Sequence, residues 1–334
     1  MSLRVGVIGL GVGEQHLLAY RRHPQCEVVM LCDFSEEKFL LAREKYPDIP
    51  FVHEAESVLT DSRIDVVSIA SYDDAHFIQA MTALQHGKHV FVEKPLCQTF
   101  AQLRTLKNEW AQHGGKLRLV SNLVLRTTPL YLWLKERINS GELGDIYAFD
   151  GDYLYGRLHK ITEGWRGQVE NYSVMEGGGI HLIDLMLWIT QQRPQTISAM
   201  GNRIVSRATQ FRYNDFVTTT MRFSSTMVAR VTANFGCVHR HHHVLRVFGT
   251  RATFIYDDAG ARLHTSRDPE VVPSPVQLPA LPLTKGELIP NFIQAILTDA
   301  DLSEDTQTIF DGLSVSIACD RALISGMTET IEYV

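Results

Sequence analysis

The first residues whose spacing suggests chemistry form a glycine-rich turn near the N-terminus, GLGVGE at residues 9–14. Gly9 would allow a tight turn, Gly11 would let a pyrophosphate approach the backbone, and the helix that follows would supply N–H donors. The third glycine of the dinucleotide-binding pattern G-x-G-x-x-G belongs at position 14, which is Glu14, while Gly13 comes one residue early. Taken alone, the turn is therefore a weak match.

An acidic residue farther along the chain strengthens the dinucleotide interpretation. Asp33 ends the second predicted strand, 24 residues after Gly9, and the acid that binds the ribose 2′-hydroxyl is expected after about 20 residues. A carboxylate at this position repels a 2′-phosphate, so the sequence favours NAD over NADP. The alternative is a turn and a strand-end acid of purely structural use.

The elements that must position these residues alternate between strands and helices. Helical patterns separate short apolar runs at residues 4–9, 27–33, 65–70, 89–92 and 117–120. Such a pattern predicts a doubly wound parallel sheet covered on both faces, the α/β Rossmann architecture, over residues 1–122. Later strands follow one another without intervening helices. We therefore expect residues 123–334 to form an α+β domain with an open, mainly antiparallel sheet.

Composition narrows the classes of function. With 32 Lys and Arg against 38 Asp and Glu, the net charge is −6, which gives no electrostatic footprint for nucleic acid or for an anionic membrane. The residues after Met1 lead directly into an apolar strand, so no signal peptide is expected. The five cysteines are scattered and include no C-x-x-C pair, which argues against a disulfide framework. The sequence predicts a cytoplasmic protein.

A second motif, Glu93-Lys94-Pro95, follows the apolar run 89–92. With this turn the chain resembles the Gfo/Idh/MocA family of NAD(P)-dependent oxidoreductases, whose members act mostly on sugars, cyclitols and nucleotide sugars. The resemblance extends along nearly the whole chain, through the glycine turn, Asp33, SYDDAH (71–76), the E-K-P turn, GELG (141–144), Trp165-Arg166 and GGGIHLID (177–184). It implies that Lys94 is catalytic, and that the far face of the second sheet makes a homodimer or homotetramer.

The turn and the resemblance together define a set of expected cofactor-binding residues. These are Gly9, Gly11, Val12, Gly13, Asp33, Ser71, His76, Glu93, Lys94 and Pro95.

Two positions depart from the family pattern. At residues 71–76 the family usually has T-P-N-x-x-H, so Tyr72 and Asp73 replace Pro and Asn. The family pattern D-x-G-x-H-x-x-D aligns its first acid with Gly177. Members with a Lys-Asp-His triad use that acid, so this chain is expected to lack one of three catalytic side chains.

Oxidation of a secondary alcohol needs a base near the hydroxyl and a hydride acceptor above the carbon. His181, whose unperturbed pKa is about 6.5, suits the role of main acid/base. Lys94, partly desolvated near NAD⁺ and with its pKa lowered, would orient and polarise the reacting oxygen. Asp184, one helical turn after His181, could orient the imidazole, or it could be a helix-surface acid.

The expected substrate-binding residues combine charge with aromatic surface, because arginine binds carboxylate or phosphate and an aromatic ring stacks on a sugar. They are Arg126, Tyr155, Trp165, Arg166, His181 and Asp184. Packing in the core is the alternative for the aromatic residues. Together with Arg157, these arginines favour an anionic sugar. The run His239–His243 is expected to contribute surface, interface or substrate contacts and no metal site.

These observations favour a dehydrogenase that transfers a hydride between NAD and a secondary alcohol of a sugar, cyclitol or nucleotide sugar. Two alternatives remain at this stage. The departure at Gly177 is compatible with an internal-redox lyase or glycosidase that uses the same NAD site. The second alternative is a non-catalytic NAD(H)-binding regulator, and the retained Lys94 and His181 argue against it.

Overall fold

The computed structural model describes residues 2–334, which form two units. The first unit comprises residues 2–124, Pro282–Phe310 and Val334, and the second comprises Leu125–Leu281 and Asp311–Tyr333.

Strands and helices are numbered in chain order. The strands are β1 (Leu3–Ile8), β2 (Cys26–Cys32), β3 (Phe51–Val52), β4 (Val66–Ile69), β5 (His89–Val92), β6 (Leu119–Ser121), β7 (Ile146–Leu154), β8 (Pro194–Asn202), β9 (Phe216–Phe223), β10 (Val228–Asn234), β11 (His242–Gly249), β12 (Thr253–Asp257), β13 (Gly260–His264), β14 (Ser274–Val276) and β15 (Glu329–Thr330). The α-helices are α1 (Gly13–Arg22), α2 (Glu36–Lys45), α3 (Ala55–Leu59), α4 (His76–Gln85), α5 (Phe100–Gln112), α6 (Pro129–Asn139), α7 (His159–Thr162), α8 (Ile180–Thr190), α9 (Ile289–Leu297) and α10 (Ser303–Ser325). Shorter 3₁₀ or π turns cover Val124–Thr127, Trp165–Gly167 and Met175–Gly179.

The first unit is a six-stranded parallel sheet in the order β3-β2-β1-β4-β5-β6. Its central strands are apolar and buried because helices cover both faces. The prediction of a doubly wound Rossmann sheet is confirmed. The order changes direction between β1 and β4, and in such sheets ligands bind beyond the carboxyl ends of the strands at this point.

The predicted domain boundary at residue 122 differs from the observed division. The chain changes units after Val124, and residues 282–310 return to the first unit. The cause is the apolar face of α9, where Ile289, Phe292 and Ile293 join the buried core of the Rossmann sheet. Their helical spacing was visible in the sequence, but nothing local indicated which core they would enter.

The second unit is built on one nine-stranded sheet, in the order β14-β13-β12-β11-β7-β10-β9-β8-β15. Only β7 and β10 pair in parallel, and every other pair is antiparallel. This confirms the open, mainly antiparallel sheet. Leu182 and Ile183 of α8 are fully buried in the same core as Phe149 of β7, so α8 lies against one face of the sheet. Among residues 2–334, no helix is both long and apolar enough to span a membrane.

Candidate functional site

The glycine turn follows β1 and leads into α1. Gly9 has a φ of +85°, and a Cβ placed on it would lie 2.3 Å from the carbonyl oxygen of Ala70, so no larger residue fits. A Cβ on Gly13 would lie 3.1 Å from the Ala70 Cβ and 3.3 Å from Val7 Cγ1. Gly13 therefore permits the close helix–strand packing that the third glycine of the dinucleotide pattern provides. Its apparent misplacement by one residue does not disturb the turn.

The middle of the turn offers the cradle that a pyrophosphate requires. A Cβ on Gly11 would meet only the Nζ of Lys38 within 4 Å, at 3.6 Å. The backbone is thus open to a close approach at the N-terminus of α1, where N–H groups and the helix dipole favour an anion. The negative charge of Glu14, which would repel a phosphate here, is offset because its carboxylate accepts hydrogen bonds from Lys45 and from Tyr46, the latter at 2.8 Å. The residues fit a dinucleotide.

Asp33 lies beside this cradle and is buried. Its carboxylate accepts hydrogen bonds from the backbone N–H groups of Leu10 at 2.7 Å and Ser35 at 3.0 Å, and from Lys38 Nζ at 3.1 Å. The first bond joins the acid directly to the glycine turn. Lys38 was not predicted from the sequence, although a lysine in the helix that begins just after the acid could have indicated it.

Two exposed aromatic rings follow the ends of β2 and β4. Phe34 is 68% exposed and Tyr72 is 36% exposed, yet their ring centroids lie only 5.5 Å apart in an edge-to-face arrangement. Exposed aromatic surface next to Asp33 and Ser71 suits the flat face of a nucleobase. From the sequence, Tyr72 stood out only as a departure from the family pattern, and Phe34 did not stand out at all.

Ser71 and His76 connect the loop after β4 to the E-K-P turn. The Ser71 hydroxyl donates a hydrogen bond to Gln79 Oε1 at 2.7 Å. His76 is fully buried, with Nδ1 at 2.7 Å from the Pro95 carbonyl oxygen and Nε2 at 3.2 Å from that of Ser71. The imidazole of His76 thus connects the loop after β4 with the E-K-P turn.

The E-K-P turn itself follows β5. The backbone N–H of Glu93 donates to the carbonyl of Ile69 at 2.8 Å. The Glu93 side chain points inward, where Nε2 of His16 lies 3.2 Å and Nδ2 of Asn122 lies 2.6 Å from its Oε1. Lys94 thus stands between two anchored residues, since the carbonyl of Pro95 faces His76.

In the second unit, His181 lies near the start of α8 and is 5% exposed. Its ring stacks against Tyr153 of β7 at a centroid distance of 6.0 Å. Asp184, one turn later, accepts two hydrogen bonds from Arg126, at 3.0 Å and 2.6 Å. Asp184 is therefore buried and ion-paired, which corrects the alternative that it is a helix-surface acid.

The helix that carries His181 is preceded by a π-turn at Met175–Gly179, which contains the position where the family acid was expected. A Cβ on Gly177 would lie 2.3 Å from the hydroxyl of Tyr172, so the tyrosine occupies the space of a side chain there. Glu176, the residue before Gly177, is buried, and its charge acts on the thiol of Cys319 on α10.

The remaining predicted substrate residues lie on loops of the second unit. Tyr155 follows β7, with its ring 4.6 Å from that of Phe235, and the guanidinium of Arg157 lies 5.6 Å from the Tyr155 ring centroid. Trp165 and Arg166 are half-buried in one 3₁₀ turn, where the Arg166 guanidinium stacks 4.6 Å from the indole. Both pairs combine a cation with an aromatic face.

The histidine run His239–His243 divides between two environments. His241 and His243 lie against Tyr153, each at a ring-centroid distance of 5.2 Å. His239 pairs with Asp258 at 3.0 Å, and this hydrogen bond raises the pKa of His239. No group of three or more potential ligands in the part of the chain that the structure describes could hold a metal ion. Two histidines of the run therefore surround the same tyrosine that stacks on His181.

Comparison with known families assigns both units. Residues 3–120 match the model described as "Oxidoreductase family, NAD-binding Rossmann fold", and residues 131–255 match the "GFO/IDH/MocA C-terminal domain". The chain belongs to the Gfo/Idh/MocA family. This Gfo/Idh/MocA protein is an oxidoreductase, as the sequence predicted.

Individual relatives of this Gfo/Idh/MocA protein include an inositol 2-dehydrogenase of Salmonella paratyphi B, 27% identical over 237 residues, which cover 70% of this chain and 68% of that protein. The fold is shared with scyllo-inositol dehydrogenase from Lactobacillus casei, whose structure contains NAD(H) and scyllo-inositol (TM-score 0.80, 19% identity, 99% of each chain). It is also shared with a levoglucosan dehydrogenase in complex with NADH and levoglucosan (TM-score 0.84, 21% identity, 99% of this chain and 100% of that one).

Proposed function

We propose that this protein is an NAD-dependent dehydrogenase that oxidises a secondary alcohol of a cyclitol, sugar or nucleotide sugar. The observation that carries the proposal is the dinucleotide cradle, in which the open backbone at Gly11 lies beside Asp33. Membership in a family of oxidoreductases and relatives named inositol and levoglucosan dehydrogenases support the class of substrate.

The cofactor in this proposal is NAD rather than NADP. A buried Asp33 that is already bonded to the glycine turn can accept a hydrogen bond from a ribose 2′-hydroxyl, whereas a 2′-phosphate would meet its negative charge. Lys38 offsets part of that charge, so the expected preference for NAD over NADP is moderate. Phe34 and Tyr72 would flank the adenine.

The reaction in this proposal divides between two side chains. When bound, NAD⁺ supplies the carbon that accepts the hydride. Lys94 polarises the substrate oxygen, and His181 takes the hydroxyl proton as the carbonyl forms. Burial of His181 against Tyr153 fixes the plane of the imidazole.

The substrate would be bound by polar and aromatic groups of the second unit. We assign this role to the residues Arg126, Tyr155, Trp165, Arg166, His181 and Asp184. The ion pair of Arg126 with Asp184 would hold both groups in place for hydroxyl recognition, while Trp165 and Arg166 offer a stacked face with a positive charge.

The test is a substrate screen of the full-length protein. NAD⁺ is incubated with myo-inositol, scyllo-inositol, levoglucosan, a uronic acid and a nucleotide sugar, and NADH absorbance is followed. Accumulation of NADH on one class supports the proposal and names the substrate. NADH binding without turnover of any substrate contradicts it and favours a regulator.

A second candidate function is internal redox, in which a lyase or glycosidase oxidises and re-reduces its substrate within one turnover. The lack of a side chain at Gly177, where Tyr172 takes the space, favours it. Loss of substrate without accumulation of NADH would identify this reaction.

We also propose a homodimer or homotetramer formed through the face of the nine-stranded sheet away from α8. That face carries an ion-pair ladder in which Arg230 contacts Asp150 and Asp152, and Arg246 contacts Asp150 at 2.8 Å. Sedimentation of the purified chain tests the assembly. We also propose a cytoplasmic location, which agrees with five cysteines that form no disulfide with one another and which cell fractionation tests.

A further inference from the structure

Glu93, the residue before Lys94, is held by groups from several elements of the first unit. Nδ2 of Asn122, which follows β6, donates to Glu93 Oε1 at 2.6 Å and to the Lys285 carbonyl at 2.8 Å. Nε2 of His16 on α1 lies 3.2 Å from the same Oε1, and Nδ1 of His16 lies 3.1 Å from the hydroxyl of Ser68 on β4. Because a carboxylate oxygen only accepts, the bond to Glu93 is made by the tautomer of His16 that carries a proton on Nε2.

This network is deeply buried and tightly packed. His16 and Ser68 are fully buried, Asn122 is 1% exposed, and the ring of Phe91 lies edge-on to His16 at 5.2 Å. Burial alone would raise the pKa of the Glu93 carboxyl. The hydrogen bonds from His16 and Asn122 and the positive charge of Lys94 outweigh burial and lower the pKa to about 2. Glu93 is therefore a carboxylate at every physiological pH.

We propose that His16 and Asn122, acting through Glu93, hold a negative charge beside Lys94, so that Lys94 remains an ammonium ion while it polarises the substrate oxygen. Glu93 is a positioning residue in this scheme. Its side chain and the Pro95 carbonyl, which faces His76 at 2.7 Å, fix the backbone on both sides of the lysine. The inference rests on the role of Lys94 in the proposed function.

A charged Lys94 differs from the expectation drawn from the sequence, in which the cofactor and desolvation lower the lysine pKa toward neutrality. That expectation ignored the preceding residue. An anionic group within several ångströms favours the protonated form of an amine, and Glu93 is covalently fixed next to Lys94. Proton transfer is then left to His181.

The test measures the protonation of Lys94 directly. Full-length protein without substrate is acetylated with a limiting amount of acetic anhydride across a pH series, and modification of Lys94 is read by mass spectrometry. Only the neutral amine reacts, so the midpoint of the curve reports the pKa of Lys94. Glu93→Gln, which removes the charge and keeps the shape, should lower this midpoint by about one pH unit.

Two further variants make the result specific. Glu93→Asp keeps the charge and should retain the wild-type midpoint. Glu109→Gln is the matched control, because Glu109 is a half-buried carboxylate paired with His113 at 3.3 Å elsewhere in the first unit, and it should change nothing. A purely structural role would lower the melting temperature of Glu93→Gln without moving the midpoint.

The proposal is overturned by an unchanged midpoint in Glu93→Gln, or by a lowered midpoint in Glu93→Asp. The second outcome applies even if Glu93→Gln does not fold. Because the labelling uses neither substrate nor turnover, its result is independent of the substrate screen. Failure of the dehydrogenase assay alone would leave the measured charge of Lys94 intact.

Discussion

Arg126 donates two hydrogen bonds to Asp184, from Nε at 3.0 Å and from Nη2 at 2.6 Å, and both side chains are nearly inaccessible to solvent. Arg126→Met removes the cation from a buried carboxylate and should lower the free energy of unfolding by about 3–5 kcal/mol. Arg126→Lys keeps the charge but loses the two-pronged geometry, so it should cost less. Urea denaturation measures both.

The control for this ion pair is Arg137→Met, because Arg137 and Glu142 form an ion pair at 3.2 Å with both side chains 40% exposed. An exposed pair contributes about 0–1 kcal/mol. Equal losses in Arg126→Met and Arg137→Met would show that the buried pair is not a structural element of this unit.

The preference for NAD depends on the charge of Asp33. Asp33→Asn should improve the affinity for NADP⁺ relative to NAD⁺ by about tenfold, because removing one repulsion of roughly 1.4 kcal/mol changes a dissociation constant by that factor. Calorimetric titration of both cofactors measures the ratio. Asp48→Asn removes an exposed carboxylate of the same unit and should leave the ratio unchanged. An equal ratio in Asp33→Asn and wild type would refute the assignment.

Gly9 combines an unfavourable φ with a steric conflict. Gly9→Ala should lower the unfolding free energy clearly more than Gly87→Ala, since both have a positive φ but only Gly9 has a neighbour, the Ala70 carbonyl oxygen 2.3 Å from the new Cβ. The strain of φ alone costs about 1–2 kcal/mol. Thermal melts of the two variants separate strain from clash, and similar melting temperatures would argue against the tight turn.

The buried carboxyl of Asp320 should make the free energy of unfolding depend on pH. Burial raises its pKa to about 7, although Ser173 donates a hydrogen bond to it at 2.8 Å that lowers the pKa. Unfolded aspartate titrates near 3.9, so between about pH 4 and 7 the folded state binds more protons and the free energy of unfolding falls as pH rises. Asp320→Asn should flatten this decline between pH 5 and 8.

Denaturation curves at several pH values test this linkage. Asp48→Asn, an exposed acid, should keep the wild-type slope. If Asp320→Asn also keeps that slope, Asp320 does not titrate in this window.

Continuous apolar runs indicate strands that are buried on both faces, and a period-two pattern indicates strands that are buried on one face. The sequence therefore predicted both kinds of sheet. It also identified Gly9 and Asp33, whose roles depend on spacing within one βαβ unit. It could not predict that α9 joins the first core or that Asn122 and His16 meet at Glu93. Asn122 lies 29 positions and His16 lies 77 positions from Glu93 along the chain, and no local pattern encodes such contacts.

The π-turn before His181 shows a different limit. Alignment with the family pattern assigned the first acid to Gly177, and the structure places this residue in a π-turn, where the hydroxyl of Tyr172 occupies the space of a side chain. A run of three glycines was the only signal in the sequence for this irregularity. The pattern of residues therefore did not reveal that the helix geometry changes before His181.

The role proposed for His181 is to transfer the proton while NAD accepts the hydride. The most direct measurement follows NADH formation by wild type and by His181→Asn on the substrate that the screen identifies, with His86→Asn on the exposed end of α4 as control. We predict that His181→Asn binds NADH normally, loses about 10²–10⁴-fold in kcat and loses its dependence on a group titrating near neutral pH. Wild-type kcat and pH profile in His181→Asn would contradict this role.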